Sequence, residues 1–438
     1  MANFRVVFSG TDDLNHDNLW VTDGTGAGTS ELTRTGGYTG GVLYNGLDPS
    51  FKVFGTRAFF KGYDSNFHLG LWVTNGASGG TSELAVANAY SGGLFSGVTD
   101  PSFTVLGSKT LFQGYDSNAH LNLWVTDGTS VGTSELQVAG ANSSGLFAAS
   151  TNPSFTVLGS RLLLEGYDTG AKRGLWVTDG TVAGTSEVQV TGAYSGGILT
   201  SSDPGFTVLG GKALFAGTDS NVHRNLWVTD GTTAGTSELT AGGSYSGGLL
   251  VSVADPYFTV LGAKVLFKGW DSSVHLNLWV TDGTTAGTSE LTVSGAYASG
   301  LLYHNAQYTV DPDFTVFGSK ALFVGEDVSG NFNIWSTDGT SAGTNELTAV
   351  GANSHGLFYN GSIYAISDLT VLGGKALFAG FDSNGHINLW VTDGTSGGTS
   401  ELTVTNADPS GLFYNNGTAL NPDFTVVGNK VLFERGTT

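Results

Sequence analysis

The tryptophan of a recurring LWVTDGT-type stretch stands at Trp20, Trp72, Trp124, Trp176, Trp227, Trp279, Trp335 and Trp390. Successive copies lie 52, 52, 52, 51, 52, 56 and 55 residues apart. A period of this length, repeated eight times, constrains the fold more than any other feature of the chain. Each unit must be one small supersecondary element that buries its apolar faces against copies of itself. No linker or shift of composition interrupts the series, so residues 1–438 are expected to form a single domain of eight repeats of ~52 residues.

Within a unit the order is FTVLG, then SKALFxGYD, then LNLWVTDG, then GTSELTV. Each run is short, rich in Val, Leu, Phe, Trp and Thr, and bounded by Gly, Asp, Asn or Ser, which signals strands and turns. Apolar residues sit side by side in ALF and LWV, as in strands covered on both faces. The expected fold is therefore all-β. It is an eight-bladed β-propeller with four antiparallel strands per blade, each blade sandwiched between two neighbours. A β-solenoid is the runner-up, but its turns are shorter and it needs end caps. FTVLG-type runs occur eight times, ending at Phe424 to Gly428, and second-strand runs nine times, counting those from Phe4 and from Lys430. The ring is expected to close by joining the N- and C-terminal strands in one blade. One second-strand copy is then surplus, an edge for pairing in a homodimer.

Only 12% of residues are charged, and the net charge is −20. An acidic surface of this kind excludes nucleic acid and anionic membranes as partners. There is no cysteine, so disulfides and thiolate metal sites are excluded. No apolar run of about 18 residues predicts membrane insertion. MANFRVVFSG shows no signal peptide, which fits a cytoplasmic protein or one exported by a non-classical route.

Four motifs recur. In TDGTxxGT the Asp copies are Asp23, Asp127, Asp179, Asp230, Asp282, Asp338 and Asp393, with Asn75 in the remaining unit. An Asp before Gly holds a turn by accepting from backbone amides, and Asn75 can do the same while being a poorer cation ligand. The expectation is a structural turn and no metal. The Glu of TSEL is expected to be a solvated carboxylate on an exposed outer strand. The third motif, DSNxH, lies between the second and third strands. It carries Asp64, Asn66, His68; Asp116, Asn118, His120; Asp219, Asn221, His223; Asp271, His275; and Asp382, Asn384, His386. The fourth, AYSGG, lies in the long connection to the next unit and places Tyr90, Tyr194, Tyr245 and Tyr297 on the same edge as DSNxH. Carboxylate, amide and imidazole beside an aromatic ring are what a shallow site for vicinal hydroxyls needs. The bland alternative is that DSNxH is a hairpin turn and Tyr packs between units. Three units depart from the pattern: TDDLNHDN keeps His16, while YDTGAKRG and EDVSGNFN have no His.

The repeat, well shown by LWVTDGTSVGTSEL (Leu123 to Leu136), resembles bacterial propeller proteins carrying tandem LWxTDGTxAGT motifs. In architecture it also resembles carbohydrate-binding β-propeller lectins. That resemblance implies a multivalent lectin with glycans or glycoconjugates as partners, bound at repeated shallow sites, without cofactor. Near-identical units offer no singular acid–base or nucleophile set, so no catalytic residues are expected. The alternative is a protein-binding scaffold or surface adhesin, which a contiguous exposed aromatic patch would favour. A glycan-active hydrolase or lyase ranks behind both.

Overall fold

The computed structural model describes residues 5–32, 34–77, 79–148, 152–200, 203–305, 308–309, 311–359, 368–405, 407–415 and 418–433. Every LWVTDGT-type stretch forms the third strand of an antiparallel sheet. Repeat 3 serves as the type. Its strands Thr104–Leu106, Lys109–Tyr115, Leu121–Thr126 and Ser134–Glu135 pair in sequential order. Phe112 faces Trp124, Gly114 faces Asn122, and Trp124 faces Glu135. Repeats 4 to 8 repeat this four-stranded sheet, and repeat 2 adds Arg34–Thr35 in parallel beside Thr81–Glu83. The all-β reading and the double-sided burial are as expected: LFQ and LWV of repeat 3 are buried throughout.

Each tryptophan is the centre of its sheet. Trp124 is fully buried and stacks on Phe112 at 6.4 Å between ring centroids. Its indole N–H donates to the carbonyl of Gly114 at 2.9 Å, and Trp72, Trp176, Trp279 and Trp390 repeat the bond to Gly62, Gly166, Gly269 and Gly380. Glycine is required there because a Cβ on Gly114 would lie 2.8 Å from Leu94 and 3.2 Å from the indole.

Neighbouring repeats are coupled in two ways. The long connection after the fourth strand bonds back to its own third strand (Phe95 N–H to Leu69 C=O) and forward to the next second strand (Tyr115 N–H to Leu94 C=O). In six repeats the cation at the start of the second strand also reaches forward to a TDGT-type glycine carbonyl. Arg5, Arg57, Lys109, Arg161, Lys212 and Lys264 donate to Gly76, Gly128, Gly180, Gly231, Gly283 and Gly339.

The chain divides into two compact units. One comprises Met1–Pro204 with Thr229–Thr236, the other Gly205–Val228 with Ser237–Thr438. The first has apolar clusters around Phe59, Phe112 and Trp124 and around Leu19, Phe60 and Trp72. The second has its main cluster around Leu278, Phe323 and Trp335, with smaller ones around Phe267 and Phe413.

The expected closed propeller is not what forms. Among the described residues no sheet closes on itself, and the first and last strands belong to different sheets. Val6–Thr11 belongs to a three-stranded sheet with Asp17–Thr22 and Ser30–Glu31. Thr425–Val427 and Lys430–Leu432 make a separate two-stranded sheet with mostly exposed residues. Covering both faces of a sheet requires neighbours, and neighbours alone do not dictate a ring. Both the eight-bladed β-propeller and the resemblance to lectin-like propellers are corrected accordingly. The last residues of the KVLFERG run, 434–436, lie outside the described residues, as do parts of the two longest connections.

Candidate functional site

The DSNxH turns are built around their aspartate. Asp116 Oδ1 accepts from the backbone N–H of Asn118 at 2.9 Å and of His120 at 2.8 Å. Asp64, Asp219, Asp271 and Asp382 each hold the same two amides. Asp168 and Asp327, in the two units without His, do so too. The residue before the histidine takes a left-handed backbone, with φ of 67° at Phe67, 62° at Ala119, 68° at Val222 and 64° at Val274. The aspartate's second oxygen lies near the histidine ring. Nδ1 to Oδ2 is 3.5 Å for His68 and His120, 3.6 Å for His223, 3.2 Å for His275 and 3.4 Å for His386. These rings are half-exposed, and Asn66, Asn118, Asn221 and Asn384 are exposed at the turn tips.

The TDGT turns at the other end of the strands follow a similar logic. Asp127 Oδ1 accepts from the N–H and hydroxyl of Thr129, which hold its carboxyl below the usual range. The second glycine is obligatory, since a Cβ on Gly132 would lie 2.0 Å from that carboxylate. Asn75 Oδ1 accepts from Ala77 N–H in the same way.

The glutamate of TSEL is not the free carboxylate that was expected. In repeat 3 its tip folds back over the third strand, where Asn122 Nδ2 donates to Glu135 Oε1 at 2.8 Å. Asn225, Asn277 and Asn333 hold Glu238, Glu290 and Glu346 in the same way. Burial first, and then the neighbouring DSNxH aspartate, raise the carboxyls of Glu135, Glu187, Glu238, Glu290, Glu346 and Glu401. Glu83 is pushed up furthest, to about 7. Much of Glu83 is solvent-exposed, yet its Oε1 lies against Gly70, 2.2 Å from where a Cβ would stand.

The structure does bring DSNxH and AYSGG together. Asp64, His68, Glu83 and Tyr90 line one cavity of about 190 Å³ beside Gly70. Tyr90, Tyr194, Tyr245 and Tyr297 are each half-buried. The rings of Tyr90, Tyr194 and Tyr245 fold over their own loop, and a Cβ on Gly92, Gly196 or Gly247 would strike the tyrosine at 2.4–2.6 Å. A different aromatic group stands on this edge. Phe67 stacks on Tyr63 at 4.4 Å and meets Tyr38 and Tyr44 edge-on at 5.0 and 5.7 Å. Phe67 is 48% and Tyr44 42% exposed. No motif singled these rings out in the sequence, and only the fold gathers them from two successive repeats.

No family model matches the chain, and no curated protein matches it. Solved structures similar to it include a puromycin hydrolase S511A mutant complexed with PGG. That match has 13% identity and a TM-score of 0.37, over 88% of this chain and 56% of that one. A puromycin-hydrolyzing peptidase of Mycobacterium tuberculosis matches at 14% identity and TM-score 0.36, over 86% and 57% of the two chains. An uncharacterized Listeria monocytogenes EGD-e protein matches at 11% identity and TM-score 0.35, over 82% and 96%. The chain thus spans little more than half the length of the first two, and no activity is carried over from them.

The lectin reading, with glycans as partners, is corrected on the geometry of the turns. The DSNxH carboxylates that were to bridge sugar hydroxyls hold their own turn in every unit, with or without histidine. Three of the four tyrosines that were to stack on sugar lie over their own glycines. Among the described residues no sheet closes to present the sites in a ring.

Proposed function

We propose that this chain is a non-enzymatic protein-binding scaffold that docks a partner through the DSNxH edge of its first two repeats. The observation that carries this is the ring cluster of Tyr38, Tyr44, Tyr63 and Phe67. An exposed aromatic group rimmed by polar residues is the composition of a protein-binding anchor. Phe67 takes the positive φ that the turn imposes at this position in every unit, as Ala119, Val222 and Val274 do, and it is the largest side chain placed there. His68 and Tyr90 flank the ring cluster and would lie at the rim of the contact, with Asn66 beside them.

The test uses the full chain as bait against the proteome of its source cell, with Tyr44→Ser/Phe67→Ser as the comparison. The expected result is a protein captured by the wild type and measured to bind it saturably in purified form. Its affinity should fall at least about tenfold for the double variant, as for loss of an aromatic anchor. Equal capture and equal affinity by both forms, with both folded, would overturn the reading.

A further inference from the structure

Six of the eight repeats carry asparagine at the second position of the third strand: Asn18, Asn122, Asn225, Asn277, Asn333 and Asn388. In all six the side-chain carbonyl accepts a buried backbone N–H from the long connection. The donors are Val42, Leu146, Leu249, Leu301, Leu357 and Leu412, at 2.8–3.3 Å. The amide nitrogen faces the other way, toward the acidic side chains of the fourth strand and the turn. This carboxamide is a standard internal part of the repeat.

Repeat 2 has Gly70 in its place. The equivalent donor, the N–H of Leu94, then has no acceptor among the described residues, although Leu94 is only 3% exposed. Glu83 receives no hydrogen bond among the described residues either. Repeat 4 also has a glycine, Gly174, and the N–H of Ile198 likewise meets no acceptor among the described residues, but there Gln189 Nε2 donates to Glu187 Oε2 at 2.5 Å. Repeat 2 has Ala85 at the position of Gln189 and no such substitute. The cavity beside Gly70 therefore presents an unanswered buried N–H on one side and an unanswered carboxylate on the other. A buried donor left so is costly, and polar cavities hold what can answer them.

We propose that this cavity binds a primary carboxamide, with its carbonyl on Leu94 N–H and its NH2 toward Glu83 and Asp64. The chemistry selects this group. An ammonium or guanidinium would answer the carboxylates but leave the Leu94 N–H facing a cation. A carboxylate would answer Leu94 but meet two acids. An acceptor and a donor on one carbon satisfy both walls at once, as the asparagine carboxamide does in the other repeats. Glu83 must swing off Gly70 to the place that Glu135 takes over Asn122, a rotation of a flexible side-chain end. The volume of about 190 Å³ accommodates a small amide or the tip of an Asn or Gln side chain. The proposal does not rest on the protein-binding reading, because a free amide tests it alone.

The probe is propionamide, with propionate and propylammonium as controls, titrated into full-length protein carrying 15N-leucine. The Leu94 amide resonance should shift saturably with propionamide and stay still with the other two. Gly70→Asn should move that resonance without ligand, raise the melting temperature and abolish the response. A blocked Gly-Gln-Gly peptide without a terminal primary amide distinguishes the sources. Binding about tenfold tighter than propionamide assigns the site to a protein's glutamine, and weaker binding to a free small amide. A Leu94 resonance unmoved by propionamide, or moved alike by all three probes, overturns the proposal, and that result does not depend on whether the variant folds.

Discussion

Asp116 and His120 sit four residues apart in one turn, and the structure assigns them unequal duties. Asp116 is 7% exposed and answers two backbone amides, while the His120 ring is half-exposed and only leans on the carboxylate at 3.5 Å. Asp116→Ala should therefore cost about 1–3 kcal/mol, the penalty for buried donors left unanswered. His120→Ala should stay within about 0.5 kcal/mol, as for surface positions. Chemical denaturation of both variants checks this, and equal losses would contradict the turn assignment. The repetition of DSNxH was plain in the sequence, but its meaning was divided between turn and ligand site. The Asp carboxylate serves either role with the same atoms, and only Asp168 and Asp327, which keep the bonds without histidine, separate them. Glu135 was misread for another reason. It lies 13 residues from Asn122, on a two-residue strand that looks like a free edge, and its burial comes from folding back across that strand. The replacement of LNLWVT by LGLWVT at Gly70 was visible all along, and it marks the one unit where neither the buried N–H nor the glutamate meets a carboxamide among the described residues.

Strands and their order were legible because alternating turn signals and doubly apolar runs leave few other readings. The coupling between repeats was not. Lys109 donates to the carbonyl of Gly180, 71 residues ahead, at 2.7 Å. A carbonyl is a partner that every residue offers, so no residue type flags the contact. The same ambiguity explains the expected closure: counting strand copies cannot tell which edges pair, since every edge shows the same N–H and C=O groups. The cation stitch recurs from Arg5 to Lys264 and holds a TDGT turn whose own bonds are local. Lys109→Met keeps most of the apolar stem and removes the charged donor. It should lower stability by about 1.5–3 kcal/mol, the range for a hydrogen bond from a charged group, less what solvent restores at this half-exposed site. Amides of the 180–185 turn should exchange faster, while those around Trp124 change little. Unchanged exchange in that turn would show the stitch to be incidental.

Across the whole chain, 37 acidic residues oppose 17 basic ones. Six of the basic groups donate to TDGT-type carbonyls, keep their charge there, and also help to hold a TDGT aspartate ionised. Two repeated carboxyl sets respond to pH in opposite senses. The glutamates of the TSEL motif in repeats 2 to 8 have folded values raised above 4.5 by burial, Glu83 to about 7. The folded chain then binds these protons more tightly than the unfolded chain, so stability rises as pH falls from about 7 toward 4.5. The TDGT aspartates have folded values below 3.8, lowered first by the hydroxyl of the following threonine. Their contribution is intact above 3.8 and is lost as pH falls from there through the folded value. Falling net charge adds to the first trend by easing self-repulsion. The melting temperature at constant ionic strength should therefore peak at about pH 4–5, on the acid side of neutrality. Glu83→Gln should remove part of the rise between pH 7 and 4.5, because it fixes that group in its neutral form. A series of melting curves from acid to neutral pH on both forms decides this. A maximum at or above pH 7, or a Glu83→Gln curve parallel to the wild type, would mean that the folded-back glutamates are solvated after all and that repulsion among them does not shape the stability of this chain.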